Sequence, residues 1–138
     1  MSPSEPLRRT VLVYASSATT RDRVLNALGR RPAPGLELEF VEAATGDEVV
    51  KVCDEGGIDL AILDGEAAPT GGMGLARQMK AELDEPPPVL LLLGRRDDAW
   101  LATWSRAEAV TPHPIDAVRV IELVTGLLLP AGAVATGH

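Results

Sequence analysis

The stretch LELEFVEAA, residues 36–44, decides how the predicted sheet is arranged. Over its first five positions, leucine or phenylalanine alternates with glutamate. Such alternation is typical of a β-strand that has one buried face and one face in water. Charged side chains on a strand also suit the edge of a sheet, where they discourage pairing with other chains. We therefore predict that this strand lies at an edge.

Four other short apolar runs, rich in valine, leucine and isoleucine, precede and follow this stretch. Amphipathic segments separate them, and this alternation is the pattern of βα units in a parallel sheet. We predict strands over residues 10–15, 36–43, 60–63, 89–93 and 109–111, all but the second buried on both faces. We predict helices over residues 18–30, 47–54, 73–83, 98–105 and 116–129.

Five βα units with an edge second strand favour a flavodoxin-like α/β fold, a three-layer (βα)5 sandwich. Its parallel sheet has the strand order 2-1-3-4-5. In such sheets, ligands bind beyond the carboxyl ends of the strands, at the switch point between the first and third strands. The residues at that point are Ala15, Ser16 and Asp64.

The length of 138 residues suits one domain, which we place at residues 9–129 with mobile tails at 1–8 and 130–138. The net charge of -7 disfavours nucleic acid and anionic membrane surfaces as partners. The longest apolar run is too short to span a bilayer, and the single cysteine, Cys53, excludes an intramolecular disulfide. We expect a cytoplasmic protein.

The most informative side chain at the switch point is that of Asp64. It ends the run IDLAILD and is followed by Gly65, so its carboxylate should emerge at the edge of the sheet. An ionised carboxylate in that position can attack a phosphoryl group or bind Mg²⁺. It can equally cap the loop before the next helix, as aspartate often does in turns. The residues alone leave both interpretations open.

The sequence around this aspartate, IDLAILDGEAAPTGGMGLARQMK, resembles the CheY-like receiver domain of two-component response regulators. The segments ILDGEAAPTGGMGLA, PPVLLLLGRRDDAWLATWSRAEA and TPHP are similar to a stand-alone actinobacterial receiver group with divergent active sites. The resemblance covers residues 9–129. It implies that Asp64 stands where the family keeps its phosphorylated aspartate, and that the peptide bond between His113 and Pro114 is cis.

Other functional positions of the family do not match. The acidic pair that holds Mg²⁺ in receivers aligns with Ala15 and Ser16. The threonine or serine that binds the phosphoryl group aligns with Leu93, and the lysine aligns with His113. We expect an ordinary surface or core histidine at that position. Of the functional positions compared, only Asp64 is retained.

These replacements predict a poor phosphorylation site. Mg²⁺ prefers carboxylate ligands, and Asp64 with Glu66 offers at most a weak site for it. Without a bound cation, attack by a carboxylate on a phosphoryl group brings like charges together. We expect no firmly bound cofactor. The hydroxyls that follow the first strand should instead cap the first helix, through Ser17 or Thr19.

The expected function is that of a stand-alone atypical receiver in two-component-type signal transduction, and not of an enzyme. No DNA-binding or enzymatic output domain is expected after Leu129, so output should pass through protein contacts. The partner would be a sensor kinase or a downstream target, and a homodimer remains open. Trp100 and Trp104 are four residues apart on one side of a predicted helix, which makes them interface candidates, although one of them should pack on the sheet.

Two alternatives belong to other functional classes. The first is a phosphorylation-independent scaffold that keeps only the receiver shape. The second is a flavodoxin-like protein that binds flavin mononucleotide through the hydroxyls after the first strand. The segment SSATTR lacks the glycine that such loops use, and the chain has only two Trp, one Tyr and one Phe with which to build a flavin slot.

Overall fold

The computed structural model describes residues 5–67, 71–94 and 104–129. In this part of the chain, five parallel strands form one sheet in the order β2-β1-β3-β4-β5. They are β1 Leu7–Tyr14, β2 Leu36–Ala43, β3 Leu60–Asp64, β4 Val89–Leu93 and β5 Ala109–Pro112. The predicted α/β flavodoxin-like class and its strand order are therefore confirmed.

Four helices are described: α1 Ala18–Leu28, α2 Gly46–Glu55, α3 Gly72–Glu82 and α4 Ala117–Leu128. The helix predicted over residues 98–105 lies largely outside the described residues. None of the helices in the described ranges is long and apolar enough to cross a membrane.

Two element ends differ from their predicted positions by more than one residue. Helix α1 stops two residues early, because Gly29 has a φ of 62°, which terminates the helix. Strand β1 begins at Leu7, whose N–H donates to the carbonyl of Gly35 over 2.8 Å. Strand β1 therefore begins inside residues 1–8, the segment that the sequence analysis assigned to a tail.

The prediction for the second strand is confirmed, since β2 lies at one edge with Leu36 and Leu38 buried and Glu39 exposed. The prediction of burial on both faces is wrong for β5. That strand is the other edge and pairs only with β4, so Ala109 and Val110 stay partly accessible.

The sheet carries one apolar cluster on each face. Leu12, Leu63 and Leu75 belong to the cluster that includes α2 and α3, whereas Val13 and Val120 belong to the one that includes α1 and α4. Successive strand residues point to opposite faces, so each inner strand supplies both clusters. Helices thus cover both faces of the sheet, and they leave the two ends of the strands uncovered. We call these the carboxyl edge, where β1 to β5 end, and the amino edge, where they begin.

Candidate functional site

A cleft of about 500 Å³ opens at the carboxyl edge. It lies where the connections after β1 and β3 diverge, at the predicted switch point. Its walls come from the loop after β1, the first turns of α1, the end of β3 and the loop after β5. The lining residues are Ser16, Ser17, Thr20, Arg23, Asp64, Glu66, His113 and Pro114.

Asp64 is the last residue of β3, and only 6% of its surface is exposed. Its Oδ1 accepts a hydrogen bond from the backbone N–H of Glu66 over 3.0 Å. The same oxygen lies 3.0 Å from Nε2 of His113. An ionised carboxylate can only accept, so Nε2 is the donor of that bond. One of the two carboxylate oxygens of Asp64 is therefore already hydrogen-bonded.

The backbone of His113 is hydrogen-bonded to β4. Its backbone N–H donates to the carbonyl of Leu93 over 2.8 Å, directly after β5. The peptide bond to Pro114 is cis, so that prediction is confirmed. The sequence analysis expected an ordinary histidine here, whereas the ring contacts Asp64. The contact is possible because β3 and β5 end at the same edge of the sheet, and His113 directly follows β5.

Ala15 and Ser16 differ in their surroundings. Ala15 is fully buried at the end of β1, while Ser16 is exposed in the cleft. Ser17 is the N-cap of α1, and its Oγ accepts from the N–H of Thr20 over 3.4 Å. This confirms the expected capping role and assigns it to Ser17.

Sequence reasoning missed the role of Arg21. Its Nη1 donates to the carbonyl of Ala15 over 2.6 Å, and its Nε lies 3.1 Å from Oε1 of Glu42. The guanidinium thus bridges the end of β1 to β2. Its place one turn into a helix that starts directly after β1 was the available signal.

Glu66 lies against Gly94 at the end of β4. A Cβ at Gly94 would overlap the carboxyl group of Glu66, so only a residue without a side chain allows this placement. Within the described ranges, no three His, Cys, Asp or Glu side chains are grouped so that they could hold a metal ion. The two candidate ligands Asp64 and Glu66 thus have no third protein ligand of these types there.

Leu93 ends β4 with 3% of its surface exposed. Its side chain packs in the apolar cluster with Leu63 and Leu91. An alkyl group has no hydrogen to donate, so this position offers a ligand in the cleft no hydrogen bond from its side chain.

Tyr14 is a second residue that the sequence analysis did not select. It is buried at the end of β1, with 1% of its surface exposed. Burial, and to a lesser extent the charge of Asp64, raises the pKa of its phenol above 10.0. Its place at the end of the switch-point strand was the signal in the sequence.

The interface candidates are only partly described. Trp104 has 46% of its surface exposed, and the guanidinium of Arg77 lies 4.8 Å from the centre of its ring. Nη1 of Arg77 also donates to the carbonyl of Trp104 over 2.8 Å. Trp100 lies outside the described residues. We call Trp104 and Arg77 the tryptophan surface.

Comparison with known proteins places these features in a family, although no family model matches the chain. A response regulatory protein of Mycobacterium tuberculosis, from strains H37Rv and CDC 1551, is 54% identical over 127 residues, which is 91% of this chain and 96% of the relative.

Solved receiver structures share the fold at low identity. A chemotaxis response regulator of Vibrio cholerae is 18% identical with a TM-score of 0.72, over 88% of this chain and 100% of that one. The receiver domain of the Saccharomyces cerevisiae response regulator Ssk1, solved with the histidine phosphotransfer protein Ypd1, is 16% identical with a TM-score of 0.75, over 91% of this chain and 92% of that one. The chain therefore belongs to the response regulators, as a CheY-like receiver domain of two-component signalling.

Proposed function

We propose that this receiver is an atypical one, in which Asp64 accepts a phosphoryl group poorly if at all and output passes through contacts with other proteins. One observation carries the proposal: Oδ1 of Asp64 is already bound by His113 and by the amide of Glu66. The protein would then act as a signalling module and not as an enzyme.

The charges in the cleft support this proposal. Attack by Asp64 on a phosphoryl group would bring negative charges together, and a divalent cation normally offsets that repulsion. Neither Ala15 nor Ser16 supplies a carboxylate for such a cation. Glu66 adds one further negative charge to the cleft. The approaching phosphoryl group would therefore meet little compensation from a bound metal.

The contacts that would report phosphorylation are also replaced. A ligand shifts a two-state equilibrium only through contacts that differ between the two states. The side chain at Leu93 cannot donate a hydrogen bond to a phosphoryl oxygen. His113 is hydrogen-bonded to the carboxylate of Asp64 itself. We infer that the domain works largely in one conformation.

The proposal is tested by intact mass after incubation with a small phosphodonor, with and without Mg²⁺. We expect the mass to stay unchanged in both conditions, because one oxygen of the nucleophile is already hydrogen-bonded and the cation site is weak. The Asp64→Asn variant is the control, and its partner binding should equal that of the wild type. A stoichiometric, Mg²⁺-dependent gain of mass that Asp64→Asn abolishes would overturn the proposal.

We further propose that the tryptophan surface contributes to the protein contact. Tryptophan and arginine are enriched at interface hot spots, and here the guanidinium of Arg77 lies over the ring of Trp104, a residue that is 46% exposed. Trp104→Ala should lower the binding of partner proteins, measured by their recovery from an extract on the immobilised chain. Its circular dichroism should match that of the wild type.

Val118→Ala is the matched control, because Val118 is also an exposed apolar residue, with 66% of its surface accessible. We expect this variant to associate like the wild type. Lost stability without lost association in Trp104→Ala would assign the ring to packing and contradict the proposal.

A further inference from the structure

The amino edge of the sheet carries a concentrated positive charge beside β1 and β2. Three arginines reach one carboxylate, that of Glu37 on β2, with nitrogen–oxygen distances of 4.0 Å for Arg8, 3.9 Å for Arg30 and 3.3 Å for Arg31. Their side chains are 73%, 74% and 77% exposed, whereas that of Glu37 is 15% exposed. One carboxylate cannot neutralise three guanidiniums, so positive charge is left in excess. We call these three arginines the basic half of the edge.

The same edge carries negative charge beside β3 and β4. Asp54 and Glu55 end α2 just before β3, and Asp84 and Glu85 follow α3 just before β4. All four are exposed, and among the described residues none of them forms an ion pair. We call these four carboxylates the acidic half of the edge.

The two halves lie side by side because the sheet is parallel. All five strands begin at this edge, and the order β2-β1-β3-β4-β5 puts the first two strands on one side of β3 and β4. Each half also has a groove beside it. Pro6, Pro32 and Pro34 line one of about 500 Å³, and Ile58, Leu83 and Pro87 line one of about 510 Å³.

We propose that the amino edge binds a second copy of this chain. A two-fold rotation about an axis through the middle of the edge brings the basic half of each copy onto the acidic half of the other. Such an isologous contact uses one patch twice and closes on itself, so it yields a dimer and not a filament. Every favourable charge contact then occurs twice, which a partner with a single acidic segment would not provide.

The dimer is expected to be weak and sensitive to salt. The net charge of -7 repels two copies at long range, and the complementary halves act only at close approach. Exposed charges separated by more than about 10 Å are largely screened at 0.1 M salt. The contact leaves the cleft around Asp64 uncovered, because that cleft lies at the opposite edge of the sheet.

The experiment compares association at low and high ionic strength by sedimentation velocity. Wild type should dimerise at low salt and dissociate as salt is added. The double variant Arg30→Glu with Arg31→Glu should stay monomeric, and so should Asp84→Lys with Glu85→Lys, each with a dissociation constant raised more than about tenfold. The matched control Arg23→Glu with Arg119→Glu makes the same charge change as the arginine variant but near the carboxyl edge, and we expect it to keep the dimer.

Mixing the two reversed variants is the decisive arm. The arginine variant then carries two negative halves, whereas the acidic half of the other variant has two positive and two negative charges. In the mixed dimer, the intact basic half of one variant meets the intact acidic half of the other, and no two halves of like charge face each other. The mixture should therefore form a dimer that neither variant forms alone. A folded but monomeric mixture would overturn the proposal, as would a wild type that stays monomeric at low salt. A wild-type monomer that binds an acidic peptide or DNA through the basic half would assign that half to another class of partner and would also overturn it.

Discussion

The contact between His113 and Asp64 occupies one oxygen of the carboxylate at the centre of the candidate site. The sequence located Asp64 at the end of an apolar run, and the resemblance to receiver domains identified the replaced positions around it. The sequence could not place the imidazole of His113 on Oδ1. That contact depends on how the loop after β5 turns, and on the bond from the N–H of His113 to the carbonyl of Leu93.

The buried phenol of Tyr14 allows the charge of Asp64 to be measured. Tyr14 is the only tyrosine, so ultraviolet absorbance reports its ionisation alone. We expect a midpoint above 10.0 in the native protein, and a lower midpoint in Asp64→Asn, which removes the carboxylate charge but keeps the burial. Glu66→Gln is the control and should leave the midpoint unchanged. An equal midpoint in wild type and Asp64→Asn would contradict the assigned cause.

The same shift predicts a pH dependence of stability. The pKa of the folded-state phenol lies above the unfolded value of 10.0, so the unfolded chain ionises first as the pH rises. The contribution of this group is fully present below pH 10 and is lost as the pH rises through the folded-state value. The free energy of unfolding, measured with urea, should therefore fall as the pH rises above 10. This fall should be smaller in the Tyr14→Phe variant.

Among the elements, α3 shows why some boundaries escape sequence reasoning. The periodic apolar residues predicted a start at residue 73. Gly72 is in fact the first residue of the helix. A Cβ there would lie 2.8 Å from the carbonyl carbon and oxygen of Asp64, so its lack of a side chain lets α3 approach the end of β3. Composition signals a break but does not reveal such an approach.

Two glycines of α3 provide a matched test. Gly72→Ala should lower the free energy of unfolding by about 1–3 kcal/mol, because the added methyl group meets backbone that must shift. Gly74→Ala should raise it by up to about 1 kcal/mol, since a Cβ there meets nothing within 4 Å and alanine favours a helix. Urea denaturation gives both values. Equal changes in the two variants would mean that the approach to Asp64 is not tight.

For the molecule as a whole, the alternation of strands and helices was enough to predict the fold. The inner strands point residues into both apolar clusters, so their continuous apolar runs identified a covered parallel sheet. The prediction was less accurate at the margins. Burial of β5 and the start of β1 depend on which neighbours each strand has, and a single-strand pattern does not carry that information.

The two apolar clusters pack on one sheet, so we expect one cooperative unfolding transition, which labelling of Cys53 can report. Cys53 is the only cysteine, it is 8% exposed in one cluster, and burial raises its pKa to about 11. A rise from 9.0 to about 11 lowers the thiolate fraction at neutral pH by about 100-fold, so thiol labelling of the native protein should be slow. In urea, labelling of Cys53 should rise together with the loss of circular dichroism. Labelling that precedes this loss would show that α2 opens separately.

The burial of Ala15 and Leu93 limits how the cleft can be redesigned. An aspartate introduced at Ala15 would place a charge in a position with no exposed surface, before any metal could stabilise it. A threonine at Leu93 would remove apolar packing and add a hydroxyl that no phosphoryl group yet binds. Each of these substitutions alone is therefore expected to lower stability. A design that adds a carboxylate and a hydroxyl to the cleft has to repack the core around both positions at the same time.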